Sequence, residues 1–541
     1  MSSGSRMITV EQHKQLSKCL LWKMEREYFE KQGITAWLHD VPFYVTSNTF
    51  IAKAYARVCM YFVRDWIRNH PENRKHPFYF METGTGPGRF SYFMVKVIEE
   101  MRRELDMEDV NIIYVMTDFA KANLEYHETH HALKPYMEKG VLDLAIHDMD
   151  KDTPIKLMHS GVELNQQTLV NPLVLFANYV FDTIPNDAFA VQNGKLYELL
   201  ANISTEESNL KNNYPIELEK VTVEYTAKEI HGPYYGNPEL DAVLDLYKNS
   251  LTDSSVLVPI GSIRGLDHLR KLANGKILLI SSDKAYSDLP SLDHLGHPSL
   301  TIHGGCFSMM VNCHALGQYY KNGGGEFFPQ SSRRGLKTCF YSTFSLADMP
   351  ETRLAIADYI EKFSPADFFN IYRNMNETVQ HVQMDAIASY LQLAEWDPQA
   401  YMRISARILE IINEADMDTV NFMADHMPTV ASNYYYMPKA DCVLFEVGVF
   451  FHAIRRYEQA LEYYQKAEKF LGEQFGLKYN TALCLKHLER DMEALKYFKN
   501  ALAIEPESKE AKEWVEYLEK TAMEAKYMPK GRIEDKGSEQ R

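Results

Sequence analysis

The sequence predicts a doubly wound α/β unit followed by an all-helical, repeat-bearing unit. Three observations lead there: short apolar runs alternate with helical stretches between about 76 and 345, strands disappear after about 350, and two segments near the end superpose at a shift of 34. At 541 residues the chain exceeds one ordinary core.

From the start, Leu16, Leu20, Leu21, Met24, Tyr28 and Phe29 recur at helical spacing, so 10–38 reads as helix. VPFYVTSNT leads into a second amphipathic helix, roughly 50–69, and 1–75 forms an N-terminal helical region. FYFMET (78–83), VNIIYVMTD (110–118), LDLAIHDMD (142–150), PLVLFANYV (172–180) and KILLISSD (276–283) are buried-strand candidates. Between them SYFMVKVIEEMRREL is helical, as is KANLEYHETHHALKPYMEKG as far as Gly140. The pattern blurs over about 200–275, which reads as an insertion, and a helix through VNCHALGQYY follows. The α/β unit thus spans 76–345, a helical connecting region 346–435, the repeats 436–525 and a polar tail 526–541.

In the repeats Ala460 meets Ala494, Leu461 meets Leu495, Tyr464 meets Phe498, Ala467 meets Ala501, Gly448 meets Ala482 and Phe451 meets Leu485. Small residues facing large ones let paired helices approach closely. The segment resembles the tetratricopeptide repeat (TPR), whose period is 34. Two units are clear; the helices of 350–435 and a cap carrying Trp514 and Leu518 are expected to complete the stack. Such arrays grip polypeptide on a concave face.

Composition narrows the partners. Lys and Arg number 58 against 74 Asp and Glu, a net charge of −16 that repels nucleic acid and anionic membranes. Seven cysteines, an odd count with no CxxC pair, read as reduced thiols of a cytoplasmic protein. No apolar run approaches the roughly 18 residues of a spanning helix, and MSSGSRMITVEQ carries no signal-peptide or presequence pattern.

The sharpest local feature is Met81-Glu82-Thr83-Gly84-Thr85-Gly86-Pro87-Gly88-Arg89 between a strand and a helix. A dinucleotide fingerprint needs glycine where Arg89 stands, and the GK[ST] of a P-loop is missing. The remaining pattern, E-x-G-x-G-x-G, resembles motif I of the class I methyltransferases that use S-adenosyl-L-methionine (SAM). That resemblance implies a Rossmann-like fold in which Gly84, Gly86 and Gly88 clear room for the cofactor and Glu82 accepts from its ammonium. It further implies Asp118 on the ribose diol with Phe119 beside it, Asp148 and Met149 at the adenine, and Asn178 over the sulfonium.

Asn178-Tyr179-Val180-Phe181-Asp182-Thr183-Ile184-Pro185 resembles the N-E-x-x-D-A-L-P segment of the MidA-like methyltransferases. That family includes the mitochondrial protein-arginine methyltransferase that assists complex I assembly. TSNTFIAKAYARVCMYF, GKILLISSDKAY and GGCFSMMVNCHAL stand where the family has further segments, so the resemblance covers roughly 40–345. Tyr179 replaces the family's glutamate and Asp283-Lys284-Ala285 its DYG, which removes one expected guanidinium clamp. Asn178, Tyr179 and Asp182 are the catalytic candidates; Thr46, Ser47 and Asn48 stand ready to close the site.

The expected activity is methyl transfer to a protein or peptide acceptor, with a basic acceptor favoured by the −16 charge. The alternative is a non-catalytic scaffold that keeps the fold and grips a partner. A third pattern, His127-Glu128-Thr129-His130-His131, matches the HExxH of zinc peptidases, with His127 and His131 at i,i+4. It falls on a helix expected to pack against the sheet, and no metal site is assigned.

Overall fold

The computed structural model describes residues 6–39, 41, 43–210, 217–330, 335–438 and 440–527. Most of the expected tail 526–541 lies outside them, as does the end of the polar stretch NISTEESNLKNNYP. The chain divides into two compact units, Met1–Asn374 and Met375–Arg541. The helices between 350 and 374 therefore belong to the first unit.

The first unit is built on an eight-stranded mixed sheet. Across it run Glu326–Pro329, Leu336–Ser342, Ile277–Tyr286, Leu173–Asn178, Phe78–Thr83, Ile112–Asp118 and Leu142–Ile146, with Val311–Asn312 paired beside Ile277–Tyr286. The five strands from Ile277–Tyr286 to Leu142–Ile146 are parallel to their neighbours, and Leu336–Ser342 is antiparallel to both of its own. Phe78–Thr83 is buried along its whole length. Such a strand takes a continuous apolar run, because helices cover both faces. Chain order runs outward from Phe78–Thr83 to one edge, then restarts beside it at Leu173–Asn178 and runs the other way, with Leu336–Ser342 inserted inside the edge strand Glu326–Pro329. The carboxyl ends of Phe78–Thr83 and Leu173–Asn178 mark the switch point, where open α/β sheets bind ligands.

A second sheet of five antiparallel strands was not legible in the sequence: Met7–Gln15, Lys195–Glu206, Asp187–Gln192 and Ser254–Val258, with Val221–Glu229 paired to Lys195–Glu206. Two expectations fall with it. Residues 10–15 are strand, not helix; helix begins at Leu20 and ends at Gln32. The apolar spacing from Leu16 onward is helical, but the polar MITVEQHKQ takes its conformation from pairing with Lys195–Glu206. The presumed insertion 200–275 is an integral part of the unit. It supplies strands of the second sheet and helix Ile260–Leu272, which leads into Ile277–Tyr286. That helix packs closely: a Cβ at Gly265 would lie 2.4 Å from the Met149 carbonyl oxygen.

The helix Thr49–Asn69 is capped by Asn48, whose side chain accepts from the Ile51 N–H at 2.9 Å. The expected helix to Gly140 breaks at His130 into Lys121–Thr129 and Lys134–Glu138. All seven cysteines are buried and none is in a disulfide. Among the described residues no helix is long and apolar enough to cross a membrane.

The second unit is helical throughout and ends in Val443–Ala453, Tyr457–Leu471, Phe475–His487, Asp491–Ile504 and Lys509–Tyr527, each packed on the next. The small residues of the 34-residue match sit at the contacts: Ala460, Ala467, Ala482, Ala494 and Ala501 are all fully buried. Trp514 stacks on Phe498 with ring centroids 5.6 Å apart, closing the last pair. At Gly448 a Cβ would lie 2.6 Å from the Tyr464 ring, which is itself 1% exposed. Gly448→Ala gains ~1 kcal/mol of helix propensity but forces a buried ring aside, a cost of about 1–3 kcal/mol. We expect a net loss, read as a lower unfolding temperature of the helical unit by calorimetry. A rise would show that this helix pair is loosely packed.

Candidate functional site

The turn after Phe78–Thr83 is held by backbone that only glycine adopts readily. Gly84 and Gly86 have φ of 66° and 50°. Side chains there would also collide, since a Cβ at Gly86 would stand 2.9 Å from the Trp37 ring and one at Gly84 3.1 Å from Val180. The peptide at Gly86 is clamped on both sides. Its N–H donates to Asp118 Oδ2 at 3.3 Å, and its carbonyl lies 3.0 Å from His127 Nε2. Gly88 starts the helix Arg89–Glu104 as its N-cap and donates its N–H to Thr85 O at 2.9 Å; it turns the chain and does not line the cavity.

This geometry corrects the HExxH reading. His127 is fully buried against the glycine turn, and burial pushes its imidazole down to about 3. The helix ends at Thr129, so His131 does not share a helical face with His127. Among the described residues no cluster of three or more His, Cys, Asp or Glu side chains suits a metal ion.

The crevice at the switch point is a cavity of about 480 Å³, within the ~300–1,000 Å³ usual for small-molecule sites. Four chain segments reach its wall in order: Glu82, Gly84 and Gly86; Asp118 and Phe119; Asp148 and Met149; and Asn178, Tyr179 and Asp182.

Glu82 is buried and accepts through Oε2 from the Ser91 hydroxyl and from Tyr114 OH, the latter at 2.8 Å. Burial still pushes it up to about 8, so it is largely protonated at neutral pH. Asp118 accepts from the N–H of Ala120 at 2.8 Å and from Asn123 Nδ2 at 3.0 Å, besides Gly86. Burial outweighs these donors and brings it to about 6. For Asp148 burial works against ionisation, but the Arg26 guanidinium at 2.5 Å and Lys151 at 3.1 Å hold the carboxyl below its usual range.

Asn178 is tied up by the protein. Its Oδ1 accepts from Tyr55 OH at 3.0 Å and from the Ser282 N–H at 3.1 Å, while Nδ2 donates to Thr46 O at 3.4 Å. It pins the loop before helix Thr49–Asn69 to the strand ends. Tyr179 follows with φ of 53°, a left-handed conformation rare for a bulky residue and found where a site over-determines it. Asp182 is 6% exposed, its Oδ1 has no hydrogen-bond partner among the described residues, and burial brings it to about 7.

The roof of the cavity comes from residues that sequence reasoning did not assign. Helix Leu20–Gln32 contributes Glu25 and Arg26; Arg26 also lies 4.6 Å over the Phe119 ring. Trp37 covers Gly86, and Lys284, His303 and Phe307 complete the far end. One signal was available: Leu21, Glu25 and Phe29 stand at i,i+4 spacing, and a carboxylate inside an apolar stripe has no packing reason to be there.

No family model and no curated protein matches this chain. Among solved structures, an uncharacterized protein from Burkholderia thailandensis aligns at 10% identity over 60% of this chain and 92% of its own, with a TM-score of 0.35. A second protein of its superfamily, from the same organism and solved bound to S-adenosyl-homocysteine, aligns at 12% identity over 61% of this chain and 87% of its own, with a TM-score of 0.38. MamA of AMB-1 aligns at 15% identity over 29% of this chain and 85% of its own, with a TM-score of 0.22.

The buried groups set a pH dependence whose sign can be worked out. Glu82, Asp118 and Asp182 are raised, to about 8, 6 and 7, so each loses stabilisation as pH rises through its folded value. His127, His147 and His314 are depressed, to about 3, 4 and 4, so their contribution is complete above 6.5 and lost below it. The two sets oppose each other in acid, but from pH 6.5 to 8 the depressed histidines have finished titrating while Glu82 and Asp182 still do, and Glu25 and Asp283, raised well above their usual range, act in the same direction. The urea midpoint of the ligand-free protein is therefore expected to fall over that interval, by at most ~1.4 kcal/mol per pH unit for each group. Glu82→Gln should flatten the fall; an unchanged slope would remove Glu82 from the assignment.

Proposed function

We propose that this chain is a SAM-dependent methyltransferase with a class I, Rossmann-like catalytic unit, acting in the cytoplasm on a protein or peptide acceptor. One observation carries the reading: the residues expected at four successive strand ends converge on one cavity at the switch point of the sheet.

The cavity suits the parts of that cofactor. Gly84 and Gly86 offer bare backbone where any side chain would fill the turn. Glu82 is a buried carboxyl that a neighbouring ammonium would draw into its charged form. Asp118 Oδ1, which accepts from the Ala120 N–H, has a second lone pair for a ribose hydroxyl, whereas Oδ2 already accepts from both Gly86 and Asn123. Phe119 and Met149 supply apolar surface for a flat ring, and the clasp of Arg26 on Asp148 and Phe119 closes that end.

SAM, when bound, brings a methyl group already activated on a sulfonium, so the chain's task is alignment and exclusion of water. Asn178 sets the corner that presents Tyr179 and Asp182, and Asp182 is the carboxyl placed to take a proton from the acceptor. The helical unit, with its TPR-like 34-residue match, is read as the acceptor-gripping module. The −16 net charge favours a basic polypeptide.

Isothermal titration with SAM and S-adenosyl-homocysteine tests the reading. Wild type is expected to bind both in the micromolar range, and Gly86→Val or Asp118→Ala to weaken binding by about 100-fold, ~2.7 kcal/mol. A folded wild type that binds neither at millimolar concentration would leave the scaffold reading in its place.

A further inference from the structure

The far end of the cavity holds a pair of carboxyls that the cofactor does not use. Glu25 stands in the apolar stripe of helix Leu20–Gln32 and is 2% exposed; Asp182, from the turn after Leu173–Asn178, is 6% exposed. Burying such groups is costly unless they serve a partner. Both line the cavity, together with Lys284 and His303.

Their surroundings are alike. Glu25 Oε2 accepts the Phe307 N–H at 2.8 Å, and Oε1 has no hydrogen-bond partner among the described residues. Asp182 Oδ1 has no such partner either, and its own backbone N–H favours the ionised carboxyl. One segment joins the two, since Met309, two residues beyond Phe307, donates its N–H to the Asp182 carbonyl at 3.1 Å. Burial, opposed by the Phe307 N–H and reinforced by Asp182, holds Glu25 well above its usual range. Asp283, buried behind them, is raised in the same way, by burial and then by Asp182. Lys284 is the cation facing the group, and Tyr179 and His303 are its other titratable neighbours.

We propose that Glu25 and Asp182 together form the acceptor subsite and that it takes a primary amine rather than a guanidinium. This rests on the methyltransferase reading. A guanidinium seeks both oxygens of one carboxylate in a planar fork. Here each carboxyl has one oxygen without a hydrogen-bond partner among the described residues, and the two stand on separate elements. That arrangement matches a compact ammonium with three diverging donors. As it binds, the ammonium displaces a proton from the pair to solvent, and the carboxylate so formed removes one proton from the ammonium. The neutral nitrogen's lone pair then forms the N–C bond while the S–C bond breaks, its electrons remaining on sulfur. The product leaves as a methylammonium, and the carboxyl returns its proton to solvent.

The full chain is titrated with butylammonium and with methylguanidinium, each with and without S-adenosyl-homocysteine. Butylammonium is expected to bind about tenfold tighter than methylguanidinium, Glu25→Gln and Asp182→Asn to weaken it about tenfold, and Lys284→Met to tighten it. Retained S-adenosyl-homocysteine affinity in each variant reports an intact fold. Peptides carrying a lysine with a blocked N-terminus, or a free N-terminus without lysine, then separate the two sources of amine by incorporation of labelled methyl. Tighter methylguanidinium binding, no butylammonium binding, or indifference to Glu25→Gln in a fold that still takes S-adenosyl-homocysteine overturns the subsite. Loss of S-adenosyl-homocysteine binding by wild type instead overturns the methyltransferase reading, and the acceptor assignment falls with it.

Discussion

Everything at the site depends on two parallel strands, Phe78–Thr83 and Leu173–Asn178, lying side by side while their chains leave in opposite directions. Covering helices cannot close both departures, so a crevice opens between the two carboxyl ends. The glycine turn fills one lip of it and the corner at Tyr179 the other. The lip is rigid because Gly86 is clasped by residues of the neighbouring strand and helix, Asp118 on its N–H and His127 on its carbonyl. A loop that must present bare backbone to a ligand has little contact area of its own, so its conformation is set from outside.

Most of this framework was legible because it rests on local signals. Buried parallel strands read as apolar runs, and E-x-G-x-G-x-G between a strand and a helix needs no tertiary information to be noticed. The second sheet was illegible for the opposite reason. Met7–Gln15 is a polar, largely exposed strand held by partners 185 to 199 residues away, and nothing in MITVEQHKQ distinguishes it from a helix start. The HExxH match failed through a local event that spacing ignores. The helix stops at Thr129, and the first histidine is spent on Gly86.

The roof of the site was the other blind spot. Arg26, Trp37 and Glu25 belong to a segment whose periodicity speaks only of packing, and their ligand-facing role appears once that helix is laid over the strand ends. Asn178 adds a second case. Its position in the motif suggested contact with an acceptor, whereas its amide is occupied by Tyr55, Ser282 and Thr46. It positions its neighbours, and a residue acting through geometry looks the same in a sequence as one acting by contact.

Electrostatics divides the cavity into two ends with different tasks. At the Asp148 end, cations from Arg26 and Lys151 satisfy the carboxyl and keep it ionised, so that end carries little net charge and suits a neutral ring. At the Asp182 end, burial raises Glu25, Asp182 and Asp283, Asp182 raises the other two further, and Lys284 opposes the shift at Asp182. A cation entering there would lower their proton affinity and be held by the charge it releases. Glu82, also on the cavity wall, is raised by burial to about 8 and would be drawn into its charged form by a neighbouring cation. Carboxyls raised in this way limit the buried negative charge that the fold must carry, and they ionise more readily where a positive ligand sits beside them.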